Sequence, residues 1–187
     1  SNTAFLVRAD LFRALGGFDE EMGMFGEDLD FCWRAQIAGG KIMVVPGAIA
    51  RHRDESGEYQ TNPKRSRLME RHRLRSILSN YGKVRVLPML LLNLLISTIR
   101  GILGLLRGRL TNLLILIDSF IWNLLNVKSL IQKRKVNSKL RRVTDSELLA
   151  LKTNSSHTQR VLSSLDTVVG AKQGSNGRLY AWINELR

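Results

Sequence analysis

The chain has 187 residues, enough for one domain or for one domain with an appendage. Its hydrophobic content of 44% is typical of a globular protein, and its single cysteine, Cys32, excludes an internal disulfide and indicates a reducing compartment. The charge is uneven: residues 1–60 hold six Lys or Arg against ten Asp or Glu (net −4), and residues 61–187 hold 23 against six (net +17). This asymmetry indicates that the second part meets an anionic partner, either a nucleic acid or an anionic membrane face.

Residues 1–60 show the alternation of short strands and helices that is typical of an α/β domain. An apolar run predicts a first strand, Asp10 can cap the helix that follows, and Gly16-Gly17 ends that helix. The predicted elements are a strand over residues 3–8, helices over 11–15 and 27–38, and strands over 41–45 and 48–52. Their order predicts the back half of an α/β fold.

Three acids stand at the start of the second predicted helix, directly after a glycine. Glu27, Asp28 and Asp30 lie where unpaired backbone N–H groups and the helix dipole favour negative charge. A purely structural interpretation is available, in which Asp30 pairs with Arg34 one helical turn later. Spacing alone leaves this structural role and a chemical role both open.

A basic helix is predicted next. It begins at the cap residue Asn62, has Pro63 in its first turn, and ends near Tyr81, just before Gly82. Its basic residues are Lys64, Arg65, Arg67, Arg71, Arg73 and Arg75. Two interpretations stay open: a solvated helix packed on the domain by one apolar stripe, or a helix that contacts a membrane surface or clamps a phosphate.

Residues 84–107 and 110–131 are the most hydrophobic parts of the chain. Each contains a charged residue, Arg100 in the first and Asp118 in the second, which is costly inside a membrane span. The polar residues fall on one narrow helical face in each stretch: Asn93, Ser97, Arg100, Gly104 and Arg107 in the first, and Asn112, Ser119, Asn123 and Asn126 in the second. Three arrangements fit: helices that lie in the membrane interface or re-enter it, a hairpin of spans, or a soluble pair with Arg100 and Asp118 as partners.

The last part of the chain is basic and carries weaker signals. Thr144 and Glu147 have the spacing of a capping box, which predicts a helix through about Lys152. Further short helices are predicted over residues 159–169 and 178–187, separated by a Gly, Ser and Asn linker. No internal repeat or zinc-type cysteine spacing is present.

A set of short motifs stands in one fixed order through residues 1–52. They are Val7-Arg8, Leu11-Phe12, Gly16-Gly17-Phe18-Asp19-Glu20, Gly26-Glu27-Asp28-Leu29-Asp30, Arg34, Ala38-Gly39, Val45-Pro46 and His52. This order resembles the second half of the catalytic domain of family 2 glycosyltransferases, the inverting GT-A enzymes that use nucleotide sugars. The bacterial rhamnosyltransferase-like branch looks most similar.

The resemblance implies a three-part organisation. Residues 1–60 would be the C-terminal part of a GT-A (Rossmann-like) catalytic domain, residues 61–137 a basic and hydrophobic membrane-associated helical region, and residues 138–187 a basic helical tail. In the family, a nucleotide-binding half with an Asp-x-Asp metal motif precedes this region. We therefore expect the chain to be part of a larger enzyme that uses a divalent metal, Mn or Mg.

The resemblance also implies roles for single residues. Asp28 would be the base that takes the acceptor hydroxyl proton, and Glu27 would orient the acceptor or Asp28. The remaining implied site residues are Asp30, Arg34 and Trp33 for substrate binding and His52 for the metal. By type alone, Trp33 is more typical of core packing, and a lone histidine such as His52 is more often structural.

The implied partners are a nucleotide-sugar donor, a cell-surface glycan or lipid-linked acceptor, and an anionic membrane surface at the cytoplasmic face. Two other classes of function are weighed against this one. A nucleic-acid-binding module would explain the basic second part, but the chain lacks interleaved aromatic and basic residues, and no nucleic acid is expected. A non-catalytic membrane adaptor would explain residues 84–131 without using the acids.

Overall fold

The structure is a computed structural model that describes residues 5–43, 45 and 62–153, with the side chains of 151–153 left aside. Seven helices lie in these residues. They are α1 (Ala9–Ala14), α2 (Glu27–Ile37), α3 (Pro63–Asn80), α4 (Lys83–Leu106), α5 (Thr111–Leu125), α6 (Val127–Leu140) and α7 (Asp145–Thr153).

The predicted α/β half of a GT-A domain is wrong for the described residues, which contain helices and no strand. The described residues of the first and second predicted strands, 5–8, 41–43 and 45, form no strand. A strand needs a neighbour for its backbone N–H and C=O groups, and the described part of the chain offers none. The strand predicted over residues 48–52 lies outside the described residues.

An aromatic cluster replaces sheet packing around α1 and α2. The Phe31 ring lies 5.4 Å from the rings of Phe12 and Phe18, and Phe5 joins at 6.0 Å, measured between ring centroids. Leu15 is buried in the same cluster. Apolar side chains therefore hold α1 and α2 together directly, with rings meeting edge to face or tilted.

Helix α3 is the hub of the fold and packs against α2, α4, α5 and α6. Its predicted start is confirmed: the Asn62 side chain accepts a hydrogen bond from the Lys64 backbone N–H at 2.8 Å, with Pro63 in the first turn. Four of its arginines, Arg67, Arg71, Arg73 and Arg75, pair with carboxylates, and their side-chain exposure ranges from 51% at Arg67 to 1% at Arg75.

Helices α4 and α5 form a tight hairpin. Gly104 lets them approach, since a Cβ there would lie 2.9 Å from the Arg109 carbonyl oxygen and from the Asn112 amide. The two hydrophobic stretches correspond to α4 and α5, except that the second breaks at Asn126, where α6 turns away by 75°. Among the described helices, α4 is long and apolar enough to cross a membrane, and the bent pair α5–α6 would pass only as one broken span.

The predicted capping box at the start of α7 is confirmed. The Glu147 carboxylate accepts hydrogen bonds from the Thr144 N–H at 2.6 Å and from its hydroxyl at 2.8 Å, while the Thr144 hydroxyl accepts from the Glu147 N–H. The short helices predicted over 159–169 and 178–187 lie outside the described residues.

Candidate functional site

The acidic start of α2 is set by two successive residues with left-handed backbone. Phe25 has φ 71° and Gly26 has φ 93°, and the helix begins at the next residue. Only glycine adopts this conformation without strain, so the value at Phe25 costs backbone energy that its surroundings must offset. The sharp entry brings Glu27 and Asp28 into the first turn, close to the exposed backbone N–H groups.

His72 on α3 braces this entry. Its Nδ1 lies 2.5 Å from the Phe25 carbonyl oxygen, and the ring is buried. A carbonyl only accepts, so Nδ1 carries the proton. Burial lowers the pKa of His72 below its usual value, although the hydrogen bond to Phe25 and the charge of Glu27 both act to raise it. No motif in the sequence marks His72, so its role could not be predicted from the sequence.

Glu27 and Asp28 are both half-buried. An Asp28 oxygen accepts a hydrogen bond from the Leu29 backbone N–H at 2.7 Å. Within the described part of the chain, the Glu27 Oε2 atom is buried and has no hydrogen-bond partner. The structure thus brings together two carboxyl groups and a buried histidine, and the Asp28 side chain remains partly accessible to solvent.

Asp30 has a different environment, although it lies only two residues further on. Its side chain is fully buried. One oxygen accepts from Arg34 Nε and from Lys133 Nζ at 2.8 Å each, and the other accepts from the Asn80 amide at 2.9 Å. The predicted Asp30–Arg34 pair is therefore confirmed, and Asp30 ties α2 to α3 and α6.

Arg34 is buried as well. Its remaining N–H groups donate to the carbonyl oxygens of Leu15 and Gly17 at 2.8 Å each, so the guanidinium closes the turn after α1. Substrate contacts for Asp30 and Arg34 stay predictions, and the burial of both side chains favours the structural role.

Asp19, in the turn after α1, extends the buried network. It accepts from Arg75 at 2.7 and 3.2 Å and also from Lys133, which bridges Asp19 and Asp30. Burial acts to raise the pKa of Asp19, but the hydrogen bonds from Arg75 and Lys133 outweigh it and lower the pKa to about 2. Asp19 is thus an ionised anchor.

The described residues do not fit a divalent metal. No three His, Cys, Asp or Glu side chains come together in the described ranges, and Asp19 and Asp30 already face cations. His52, the predicted metal ligand, lies outside the described residues.

Trp33 is half-buried and packs edge to face on Tyr81, with 4.7 Å between the ring centroids. This contact lies between α2 and the end of α3. The predicted contact between Trp33 and a sugar stays a prediction.

Comparison with known proteins gives partial matches to glycosyltransferases. Over 51 residues, 27% of this chain, the sequence is 41% identical to the pre-mycofactocin glycosyltransferase of Mycobacterium tuberculosis, in strains CDC 1551 / Oshkosh and ATCC 25618 / H37Rv. Over 72 residues, 38% of the chain, it is 29% identical to polypeptide N-acetylgalactosaminyltransferase 3 of Taeniopygia guttata. The matched segments span only 11% and 12% of those proteins' own lengths.

No family model matches the chain, and no solved structure matches it significantly. The partial matches support a relationship to glycosyltransferases in general.

Proposed function

We propose that this chain is part of an inverting glycosyltransferase of family 2, similar to the rhamnosyltransferase-like branch. The observation that carries the proposal is the partial sequence match to two glycosyltransferases. The proposed donor is a nucleotide sugar, and the proposed acceptor is a cell-surface glycan or a lipid-linked sugar. The proposed location is the cytoplasmic face of the cell membrane, supported by the length and apolar character of α4.

The acids at the start of α2 support a specific division of roles. Inverting transfer needs a base to remove the proton of the acceptor hydroxyl while its oxygen bonds to the anomeric carbon and the nucleoside diphosphate leaves. A carboxylate is ordinarily ionised at neutral pH and suits this task. Asp30 is fully enclosed by Arg34, Lys133 and Asn80, whereas Asp28 is partly accessible. We assign the base to Asp28.

Glu27 and His72 are assigned to positioning. The Nδ1–H of His72 holds the carbonyl directly before Gly26, which fixes the direction in which α2 begins. The charge of Glu27 lies next to that ring and next to Asp28. A divalent metal, Mn or Mg, is proposed only for a complete enzyme that contains this segment, because the described acids form no metal cluster.

The test compares Asp28→Asn with Asp30→Asn in an enzyme that contains this segment. Asp28→Asn keeps an acceptor oxygen for the Leu29 N–H, so we expect an unchanged melting temperature and donor affinity, with turnover reduced on the order of 10²- to 10⁴-fold. Asp30→Asn should lower the melting temperature, because it leaves Arg34 and Lys133 buried beside a neutral side chain.

The readout is the release of nucleoside diphosphate from a panel of nucleotide sugars in the presence of acceptor membranes. Glu20→Gln serves as a control for removing an acid in the exposed turn before α2. Near-normal turnover in Asp28→Asn would show that Asp28 is not the base. Absence of turnover with every donor, in a folded wild-type enzyme, would instead favour the non-catalytic adaptor.

A further inference from the structure

Helices α4 and α5 turn their polar sides inward and their apolar sides outward. Asn93 and Ser97 of α4 and Ser119 and Asn123 of α5 are 1–7% exposed. The opposite faces present large side chains to solvent: Leu87, Leu91, Leu92, Leu94, Leu95, Ile96, Ile99, Ile102, Leu105 and Leu106 on α4, and Leu114, Ile117, Ile121, Leu124 and Leu125 on α5. A surface helix in a water-soluble protein shows the reverse pattern, and a contiguous apolar surface of this kind marks an interaction site.

The charges around this apolar face are almost all of one sign. Lys83 begins α4, Arg109 lies at the turn between the helices, and Lys128 follows α5; all three side chains are exposed. Through residues 83–128 the only acid is Asp118, and two arginines of α3 already neutralise it. A second copy of this face would bring cations against cations. In an anionic bilayer, the acyl chains complement the apolar face and the headgroups complement its basic rim.

The contacts of α3 show how the hairpin would lie against a bilayer. Ser97, near the middle of α4, donates a hydrogen bond to Glu70 and accepts one from Arg73. Asp118, near the middle of α5, accepts from Arg67 and Arg71 at 2.5–2.8 Å. Charged groups of α3 therefore lie at half the length of both apolar helices.

A spanning orientation would carry those charged groups to the centre of the bilayer, where ionised side chains are costly. An orientation parallel to the membrane plane has no such cost, because the outward leucines enter the interface while α3 stays on the water side. The 75° bend between α5 and α6 also favours the parallel orientation. Helix α6 is rich in Lys and Arg, so it does not continue α5 as an apolar span.

We propose that the outward faces of α4 and α5 form a docking surface for an anionic lipid bilayer, with both helices parallel to the membrane plane and α3 on its aqueous side. This proposal rests on the packing of α3, α4 and α5 and is independent of the transferase assignment. The burial of apolar side chains contributes binding free energy that salt does not screen. The basic rim adds an electrostatic contribution that salt weakens.

The first test is co-sedimentation of the full chain with vesicles of phosphatidylcholine, alone or with phosphatidylglycerol. We expect tighter binding to the anionic vesicles, and weakening without loss at high salt. The triple change Leu91→Ser, Leu95→Ser and Leu105→Ser should reduce binding at least tenfold at low salt. A matched control changes three exposed apolar residues outside the hairpin, Leu6, Met43 and Val136, to Ser and should bind as the wild type does.

The rim is tested separately. Changing Lys83, Arg109 and Lys128 to Gln should weaken the preference for anionic vesicles and leave the salt-resistant binding to phosphatidylcholine intact. Circular dichroism of each variant checks that its helix content is unchanged. A wild-type protein that stays monodisperse without detergent and ignores anionic vesicles at low salt would overturn the proposal. A concentration-dependent dimer abolished by the three Leu→Ser changes, with no vesicle binding, would assign the face to a second copy and would also overturn it.

The orientation has its own experiment. In a Cys32→Ala background, Arg109→Cys places the only thiol at the turn of the hairpin, and the protein is added to sealed vesicles. Helices parallel to the membrane plane leave this thiol outside, where a membrane-impermeant maleimide labels it, and alkaline carbonate releases the protein. A thiol that is protected until the vesicles are opened, in protein that resists carbonate, would show a span and refute the in-plane orientation.

Discussion

Asp19→Asn is the most informative stability test, because Asp19 holds two buried cations. The change removes the charge and keeps the shape of the side chain. The Asp19 side chain is 6% exposed, and its partners Arg75 and Lys133 are 1% and 12% exposed. Losing one member of a buried ion pair typically costs 3–5 kcal/mol, since the partner remains buried without compensation. Lys133 keeps Asp30 as a second partner, so we expect the lower end, about 3 kcal/mol.

The assay is thermal unfolding followed by circular dichroism, in one buffer with the same mild detergent for all variants. For a domain of this size, a loss of about 3 kcal/mol corresponds to a fall in melting temperature of roughly 6–12 °C. Asp10→Asn is the matched control: Asp10 pairs with Arg8, but the two side chains are 61% and 82% exposed. An exposed pair contributes little, and the control should leave the melting temperature unchanged.

The melting temperatures of the two variants decide whether the buried charge network stabilises the fold. If Asp19→Asn lowers the melting temperature no more than Asp10→Asn does, the Arg75–Asp19–Lys133 network does not stabilise the fold. Lys133 would then be solvated rather than enclosed between Asp19 and Asp30.

Three further predictions concern pH, helix packing and capping. The pKa of Asp19 is lowered to about 2, so the stability that its charge contributes is present above about pH 4 and lost as the pH falls through 2. Stability measured against pH should show this slope in the wild type and not in Asp19→Asn. Gly104→Ala should lower the melting temperature, because the new methyl group meets a backbone oxygen at 2.9 Å, whereas Gly101→Ala has its nearest neighbour at 3.6 Å and should be tolerated. Thr144→Ala should weaken α7 by about 1 kcal/mol, seen as faster hydrogen exchange of the Glu147 amide, and unchanged exchange would contradict the cap.

Helix ends were the most predictable feature of the fold, because their signals are local. Asn62 and Pro63 start α3, and Thr144 and Glu147 start α7. The two glycines before Phe18 end α1, with their N–H groups bonded to carbonyls of its last turns. Each of these contacts joins residues only a few positions apart. The start of α1 was misplaced, since Arg8 rather than Asp10 precedes the helix, and Asp10 lies in its first turn.

Partners distant in the sequence could not be predicted in the same way. One of the three arrangements left open by the sequence would pair Asp118 with Arg100, but Asp118 pairs with Arg67 and Arg71 on α3. Asp30 and Lys133 are about a hundred positions apart, and no periodicity links them. The described residues of the strands predicted over 3–8 and 41–45 form no strand for a related reason. A short apolar run is compatible with a strand, but only a neighbouring strand makes it one.

The candidate site shows the same division between local and long-range information. The sequence placed Glu27, Asp28 and Asp30 together at a helix start, and this is confirmed. It could not separate Asp28 from Asp30, because the difference comes from Asn80 and Lys133, which reach Asp30 from other helices. Burial, rather than residue type, distinguishes the carboxylate that anchors the fold from the one proposed to react.

Helix α3 joins the acidic start of α2 to the hairpin of α4 and α5. Successive residues of a helix point about 100° apart, so neighbours in sequence contact different parts of the fold. Arg71 holds Asp118 on α5, His72 holds the Phe25 carbonyl before α2, and Arg75 holds Asp19. All three contacts are made by one rigid element, so the acidic start of α2 keeps a fixed position relative to the outward face of α5. If that face docks on a bilayer, Asp28 stays at a fixed height above the lipid, which suits an acceptor anchored in the same membrane.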